Sequence, residues 1–169
     1  MEQKKKLWPI LSILVVLGIV VDQLSKWWVV QNLPFQQRIS VIGDFFSLHY
    51  IHNQGAAWGI FHGRVNFLTI LTCVIVIIVL VIWYRTPREK IAMQTAFALL
   101  VSGALGNLID RIRLGYVVDF LELPHWPIFN IADCLLVCSV IWLCALILLD
   151  GRKEKVRNGQ AMEQQQIKK

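Results

Sequence analysis

Two aspartates carry the chemistry that this sequence most plainly suggests. Asp119 lies in Val117-Val118-Asp119-Phe120 and Asp133 in Phe129-Asn130-Ile131-Ala132-Asp133, and the intervening Pro124 and Pro127 mark a turn that could return the chain on itself. Two carboxylates close enough to share a proton cannot both ionise, so one acts as a base towards water while the other protonates a carbonyl. An isolated Asp near a helix start is more commonly a cap or a dipole partner. Asp133 fits that role poorly, because Asn130 is the better-placed N-cap.

Further polar groups interrupt apolar sequence. Asp22 and Lys26 are spaced i, i+4, which suits a structural ion pair as well as a substrate contact. Asn107 and Arg111 share a helical face with Gly103, so all three are expected to point to one groove. Arg111 could bind a substrate carbonyl, orient a carboxylate or anchor at lipid headgroups.

The elements that must position these groups are membrane spans. The chain has 169 residues, 56% of them hydrophobic and 17% charged, with a mean hydropathy of +0.57, which fits one membrane domain. A bilayer core of roughly 30 Å needs about 20 apolar residues per helix. Four runs qualify, at about 7–28, 65–84, 91–109 and 129–149, giving a single membrane domain over 1–150. The first run is expected to be a retained helix rather than a cleaved leader, because no small-x-small cleavage pattern follows it. Ser102, Gly103, Ala104 and Gly106 let helix backbones approach closely, which places the third span at the centre of the bundle. From Phe67 through Trp83 the second carries only Thr69 and Thr72 as polar groups and reads as structural.

Between the first two spans, about 32–64, the alternation in Phe46-Ser47-Leu48-His49-Tyr50 and the apolar patch Ile39 to Ile42 predict a small sheet. Trp58, Ile60 and Phe61 predict a short interfacial turn or helix. Residues 151–169 form a polar, Gln-rich tail, disordered or loosely helical.

The net charge of +6 would suggest nucleic acid in a soluble protein. Here the basic residues flank helix ends: Lys4, Lys5 and Lys6; Arg85, Arg88 and Lys90; Arg152, Lys153, Lys155 and Arg157. That is a positive-inside pattern, which puts both termini in the cytoplasm and the segment 32–64 on the other side. Asp22, Lys26, Asp110, Arg111, Asp119 and Asp133 then fall at the outward ends of their helices or in the adjoining loop. Ionisable groups cost about 2.5–3.5 kcal/mol each at a helix centre, so their gathering at one depth carries information. A pump or channel should instead spread them across the membrane. A small transporter or channel subunit with an outward-facing vestibule remains the alternative, and a non-catalytic scaffold a third reading.

Cys73, Cys134, Cys138 and Cys144 lack zinc spacing and read as packing residues, and His49, His52, His62 and His125 as interfacial or hydrogen-bonded ones. There is no His-Glu-x-x-His, Gly-x-Ser-x-Gly or Gly-x-Gly-Asp. No metal, cofactor or covalent intermediate is expected, and nothing requires more than a monomer.

Taken in order, Asp22-Gln23-Leu24-Ser25-Lys26, Asn53-Gln54-Gly55-Ala56-Ala57-Trp58, Gly103-Ala104-Leu105-Gly106-Asn107-Leu108-Ile109-Asp110-Arg111, Val117-Val118-Asp119-Phe120 and Phe129-Asn130-Ile131-Ala132-Asp133 resemble the lipoprotein signal peptidases, also called signal peptidase II or prolipoprotein signal peptidase. The resemblance implies an all-α membrane protein of four spans with a small extracytoplasmic sheet that cradles substrate. It implies an aspartic endopeptidase of the bacterial cytoplasmic membrane, which removes signal peptides by cutting before a diacylglyceryl-modified cysteine. By motif, Asp119 and Asp133 would be the catalytic pair. Asn53, Asn107, Arg111 and Asn130 would line or support the site, Gly55 would belong to a flexible turn near the lipid-bearing residue, and Asp22 with Lys26 would be the first-helix polar pair. Ser102 stands where many members have Gly.

Overall fold

The computed structural model describes residues 2–55, 61 and 63–167. Its elements follow in the order α1 (Glu2–Asn32), β1 (Arg38–Ile42), β2 (Phe46–Asn53), α2 (Val65–Arg85), α3 (Ile91–Leu114), β3 (Val117–Glu122) and α4 (Ile131–Ile167). Four helical stretches are long and apolar enough to cross a membrane: Trp8–Asn32, Val65–Arg85, Ile91–Leu114 and Ile131–Arg152. The expected spans are all present.

Their ends differ from the sequence expectation in an informative way. The third helix runs five residues beyond 109, carrying Asp110 and Arg111 inside it. Burying Asp110 is tolerable because Lys26, Gln23 and the Val118 N–H all bond it. The fourth helix starts at Ile131 rather than 129, because Phe129 bridges to Leu121 in strand fashion. At its other end α4 stays helical to Ile167.

In α3, 56% of the most apolar window is buried inside the protein, against 11% in α1, 11% in α2 and 17% in α4, so α3 is the hub on which the other three pack. Small residues make this possible. A Cβ added at Gly103 would stand 2.5 Å from the Ala132 carbonyl oxygen and 3.0 Å from the Leu136 nitrogen of α4. One at Gly106 would stand 2.7 Å from Asp22 Oδ2 of α1. Without much hydrophobic drive between helices in lipid, this close van der Waals fit is what associates them.

The end of the bundle remote from the sheet is apolar. Leu11, Trp83, Ala98 and Val101 form its core, and buried Gln94 accepts from Trp83 Nε1 at 2.5 Å and donates to the Thr86 carbonyl at 2.9 Å. At the other end lies a three-stranded antiparallel sheet in the order β1-β2-β3. The strand β3 was not expected from the sequence. It forms because α3 ends on Gly115, whose φ of 76° is the left-handed conformation that glycine adopts without a Cβ penalty. Alternation along β3 then sends Val118 and Phe120 to an apolar cluster with Val29 and Tyr50, while Val117 and Asp119 face a cavity.

Of the expected interfacial turn or helix, Trp58 and Ile60 lie outside the described residues. The four cysteines are free; Cys138 and Cys144 are exposed on α4, so they face outward instead of packing. His52 bonds the Tyr50 hydroxyl at 2.8 Å and stacks on Tyr116 at 3.7 Å, as a structural group of the sheet.

Candidate active site

The chain between the two acids is closed by backbone bonds. Phe129 N–H donates to the Leu121 carbonyl at 3.0 Å, and Leu121 N–H returns to the Phe129 carbonyl at 2.8 Å. Pro124 and Pro127 lie inside the loop so formed. This brings the end of β3, with Asp119, beside the start of α4, with Asp133.

Asn130 joins the two. Its Nδ2 donates to Asp119 Oδ1 at 2.7 Å, its backbone N–H donates to Asp133 Oδ2 at 3.2 Å, and its Oδ1 accepts the Asp133 N–H at 3.0 Å. The last two bonds form a reciprocal capping box at the α4 N-terminus. Asn130 is the N-cap, as expected, but Asp133 also serves the cap through one carboxylate oxygen. Its other oxygen, Oδ1, accepts from Asn107 Nδ2 at 2.7 Å. The free Oδ2 of Asp119 accepts from Asn53 Nδ2 at 2.8 Å. Asn53 stands opposite Val117, on the diagonal from Asp119 across the β2–β3 ladder, which is close enough for that reach.

Asp119 is 1% exposed. Burial, and then the neighbouring Asp133 carboxylate, push it up to about 7, against the bonds from Asn53 and Asn130 and the charge of Lys26, which favour ionisation. Burial and the Asp133 charge both favour the protonated form of Asp119.

Both acids face a cavity of about 390 Å³, with Asn53, Gly55, Asn107 and Arg111 around them. The Arg111 guanidinium is within electrostatic reach of Asp133, Asp119 and Asp110. Gly55 donates its N–H to Asn53 Oδ1 at 2.9 Å, an Asx turn at the edge of the cavity.

Three expected site residues sit elsewhere. Gly103 does not line the groove with Asn107 and Arg111; it faces the α4 backbone, where only a hydrogen fits. Asp22 and Lys26 lie behind the dyad, ion-paired at 2.9 Å, with Asp22 Oδ1 accepting the Ala132 N–H of α4 at 2.9 Å. Of the two roles left open for that pair, the geometry is that of the structural one.

Sequence reasoning missed the apolar wall. Trp126, Pro127, Ile128 and Phe129 from the loop, Leu136 and Val137 from α4, and Thr72 and Ile75 from α2 complete the cavity. The helix α2 thus contributes to the cavity through Thr72 and Ile75. Among the described residues no group of His, Cys, Asp or Glu could hold a metal ion.

Four spans, a sheet across one end and two acids, one buried and one half-buried, sharing a cavity there define a polytopic membrane protein. The family model described as "Signal peptidase (SPase) II" matches residues 14–149. The lipoprotein signal peptidase of Moorella thermoacetica is 43% identical over 142 residues, covering 84% of this chain and 95% of that protein. That of Latilactobacillus sakei is 40% identical over 152 residues, covering 89% and 97%. A solved structure, "Bacterial membrane enzyme structure by the in meso method at 2.3 A resolution", superposes with a TM-score of 0.80 at 34% identity, over 85% of this chain and 90% of that one. The chain belongs to the signal peptidase II family, and is a multi-pass peptidase of the bacterial membrane.

Proposed function

We propose that the protein is an aspartic endopeptidase that releases signal peptides from prolipoproteins by cutting before a diacylglyceryl-modified cysteine, with Asp119 and Asp133 as the catalytic pair. The observation that carries this reading is the joint hold of Asn130 on both acids at the mouth of one cavity. One carboxylate takes a proton from water, whose oxygen attacks the scissile carbonyl. The other gives its proton to the carbonyl oxygen. Collapse of the tetrahedral intermediate returns a proton to the departing amine of the lipidated cysteine. Arg111 binds a substrate carbonyl or steers the developing charge, while Asn53 and Asn107 keep the outer oxygens of the dyad fixed.

The positive-inside pattern supports placing both termini in the cytoplasm and the dyad at the outer leaflet. Acyl chains on the cysteine stay in the bilayer, which holds the adjoining peptide bond at that depth. The apolar packing around Trp83 and Leu11 at the opposite end supports an enzyme over a conduit.

The test is cleavage of a diacylglyceryl-modified prolipoprotein peptide by purified protein in detergent. Wild type should cut, and Asp119→Asn and Asp133→Asn should each lose about 10³-fold or more in kcat while remaining folded. Equal cutting by all three proteins overturns the assignment; ion or solute flux in vesicles that Asp119→Asn abolishes would favour a transporter.

A further inference from the structure

The group behind the dyad is more than an ion pair. Lys26 is 3% exposed, and an ammonium has three N–H donors and no acceptor. All three are spent: on Asp22 Oδ2 at 2.9 Å, on Asp110 Oδ2 at 2.9 Å, and on Asn107 Oδ1 at 3.0 Å. Two acids share one cation, yet the third N–H goes to a neutral amide oxygen.

That bond has a chemical consequence. A carboxamide can be turned end for end at little intrinsic cost, and only its partners decide which end faces which way. Lys26 cannot accept, so the end of Asn107 facing it must be the oxygen. The amino end must then face Asp133, to which it donates at 2.7 Å.

A second donor, Asn130 Nδ2, also reaches Asn107 Oδ1, at 3.0 Å. It is the weaker constraint. That nitrogen has two hydrogens and three acceptors in range, Asp119 Oδ1 at 2.7 Å, Asn107 Oδ1 and the Val118 carbonyl at 3.3 Å, so one of its hydrogens has an alternative. The Lys26 donor has none, and a charged donor makes roughly twice as strong a bond.

We infer that Lys26 is a positioning residue of the catalytic pair: its bond to Asn107 Oδ1 fixes the direction of that carboxamide, and so the hydrogen bond that holds Asp133 in its reactive orientation. The inference rests on the reading of Asp119 and Asp133 as the dyad. Lys26 itself stays away from substrate. It lines a separate cavity of about 200 Å³ with Gln23, Trp27, Arg113 and Tyr116, and not the one into which the acids open.

Two variants test it. Lys26→Met removes the donor and leaves two buried acids short of a partner. The triple variant Asp22→Asn, Lys26→Met, Asp110→Asn removes the donor and both charges together, so that no unpaired buried charge remains. Each is assayed with the lipidated peptide over a range of concentrations, and each is labelled with ¹⁵N-asparagine to follow the Asn107 side-chain amide signal in detergent.

The expected result is a fall in kcat of about 10- to 100-fold in both variants, with KM within about threefold of wild type. The Asn107 amide signal should move in both. Recovery of wild-type kcat in the triple variant would mean that Lys26 only balances its acids, and an unmoved amide signal would mean that Asn107 is held without it; either overturns the inference. Should Lys26→Met not fold, the triple variant decides alone. Should wild type not cut the peptide, the peptidase reading fails, while the amide signal still decides what Lys26 does.

Discussion

Asn130 and Asp133 cap one another: each donates its backbone N–H to the other's side chain, at 3.2 and 3.0 Å. The same asparagine reaches Asp119 with its amino group at 2.7 Å. The turn that starts α4 is therefore also what links the two acids.

These two duties separate by mutation. Asn130→Ser keeps an N-cap oxygen but has no amino group to offer Asp119. It should stay within about 1 kcal/mol of wild type in stability while losing at least about tenfold in kcat. Asn130→Ala loses both, and should cost about 1–2 kcal/mol as well. Thermal melting in detergent beside a cleavage assay reads the two effects.

Asp119 ties stability to pH. Its folded value of about 7 exceeds the ordinary 3.8, so between those values the folded chain binds a proton that the unfolded chain has released. The stabilisation is complete below about 4 and is lost as pH rises through about 7. Asp119→Asn cannot titrate. Its stability relative to wild type should therefore improve between pH 4 and pH 8, whatever the cost of the swapped hydrogen bonds. Melting both proteins across that range checks the slope; a difference that stays flat, or falls, contradicts it.

Gly103 tests whether helix spacing governs the site. The added Cβ in Gly103→Ala meets Ala132 backbone oxygen at 2.5 Å, and backbone cannot swing aside. The helices α3 and α4 must part, at about 1–3 kcal/mol. Because Asn107 rides on one and Asp133 on the other, kcat should fall with it. Gly151→Ala, where nothing lies within 4 Å, is the matched control and should be silent.

Ser102 is fully buried against Gly18, and its hydroxyl has no hydrogen-bond partner among the described residues. Removing a polar group that is already unpaired relieves its desolvation cost. Ser102→Ala should equal or exceed wild type in stability, by up to about 1 kcal/mol, with cleavage unchanged. Gly18→Ala, which drives a methyl into that hydroxyl, should destabilise, and the double variant should recover part of the loss.

The spans and the acids were legible in the sequence for a common reason. Lipid demands long apolar runs, and it makes each exception to them expensive, so Asp22, Lys26, Asp110 and Asp133 stand out by type alone. The strand β3 was not legible, because Val117-Val118-Asp119-Phe120 is short and its partner β2 is distant along the chain. Placing Asp119 on a strand needs the turn at Gly115 and the register with Ile51, and neither is visible locally. The cavity wall was equally hidden, since Trp126, Ile128, Ile75 and Val137 are ordinary apolar residues whose role comes only from where they meet. Gln94 escaped notice because a single amide in an apolar helix does not announce the tryptophan it holds.

The paired bonds between Leu121 and Phe129 divide the connecting segment into an inner and an outer part. Inside the knot, strand and helix are tied together, and with them the backbones that carry the two acids. Beyond it, the apex around Leu123 and His125 closes on itself, with Trp126 N–H donating to the Leu123 carbonyl at 3.2 Å. Residues inserted at that apex, or a fluorophore hung there, would leave the tie between strand and helix in place.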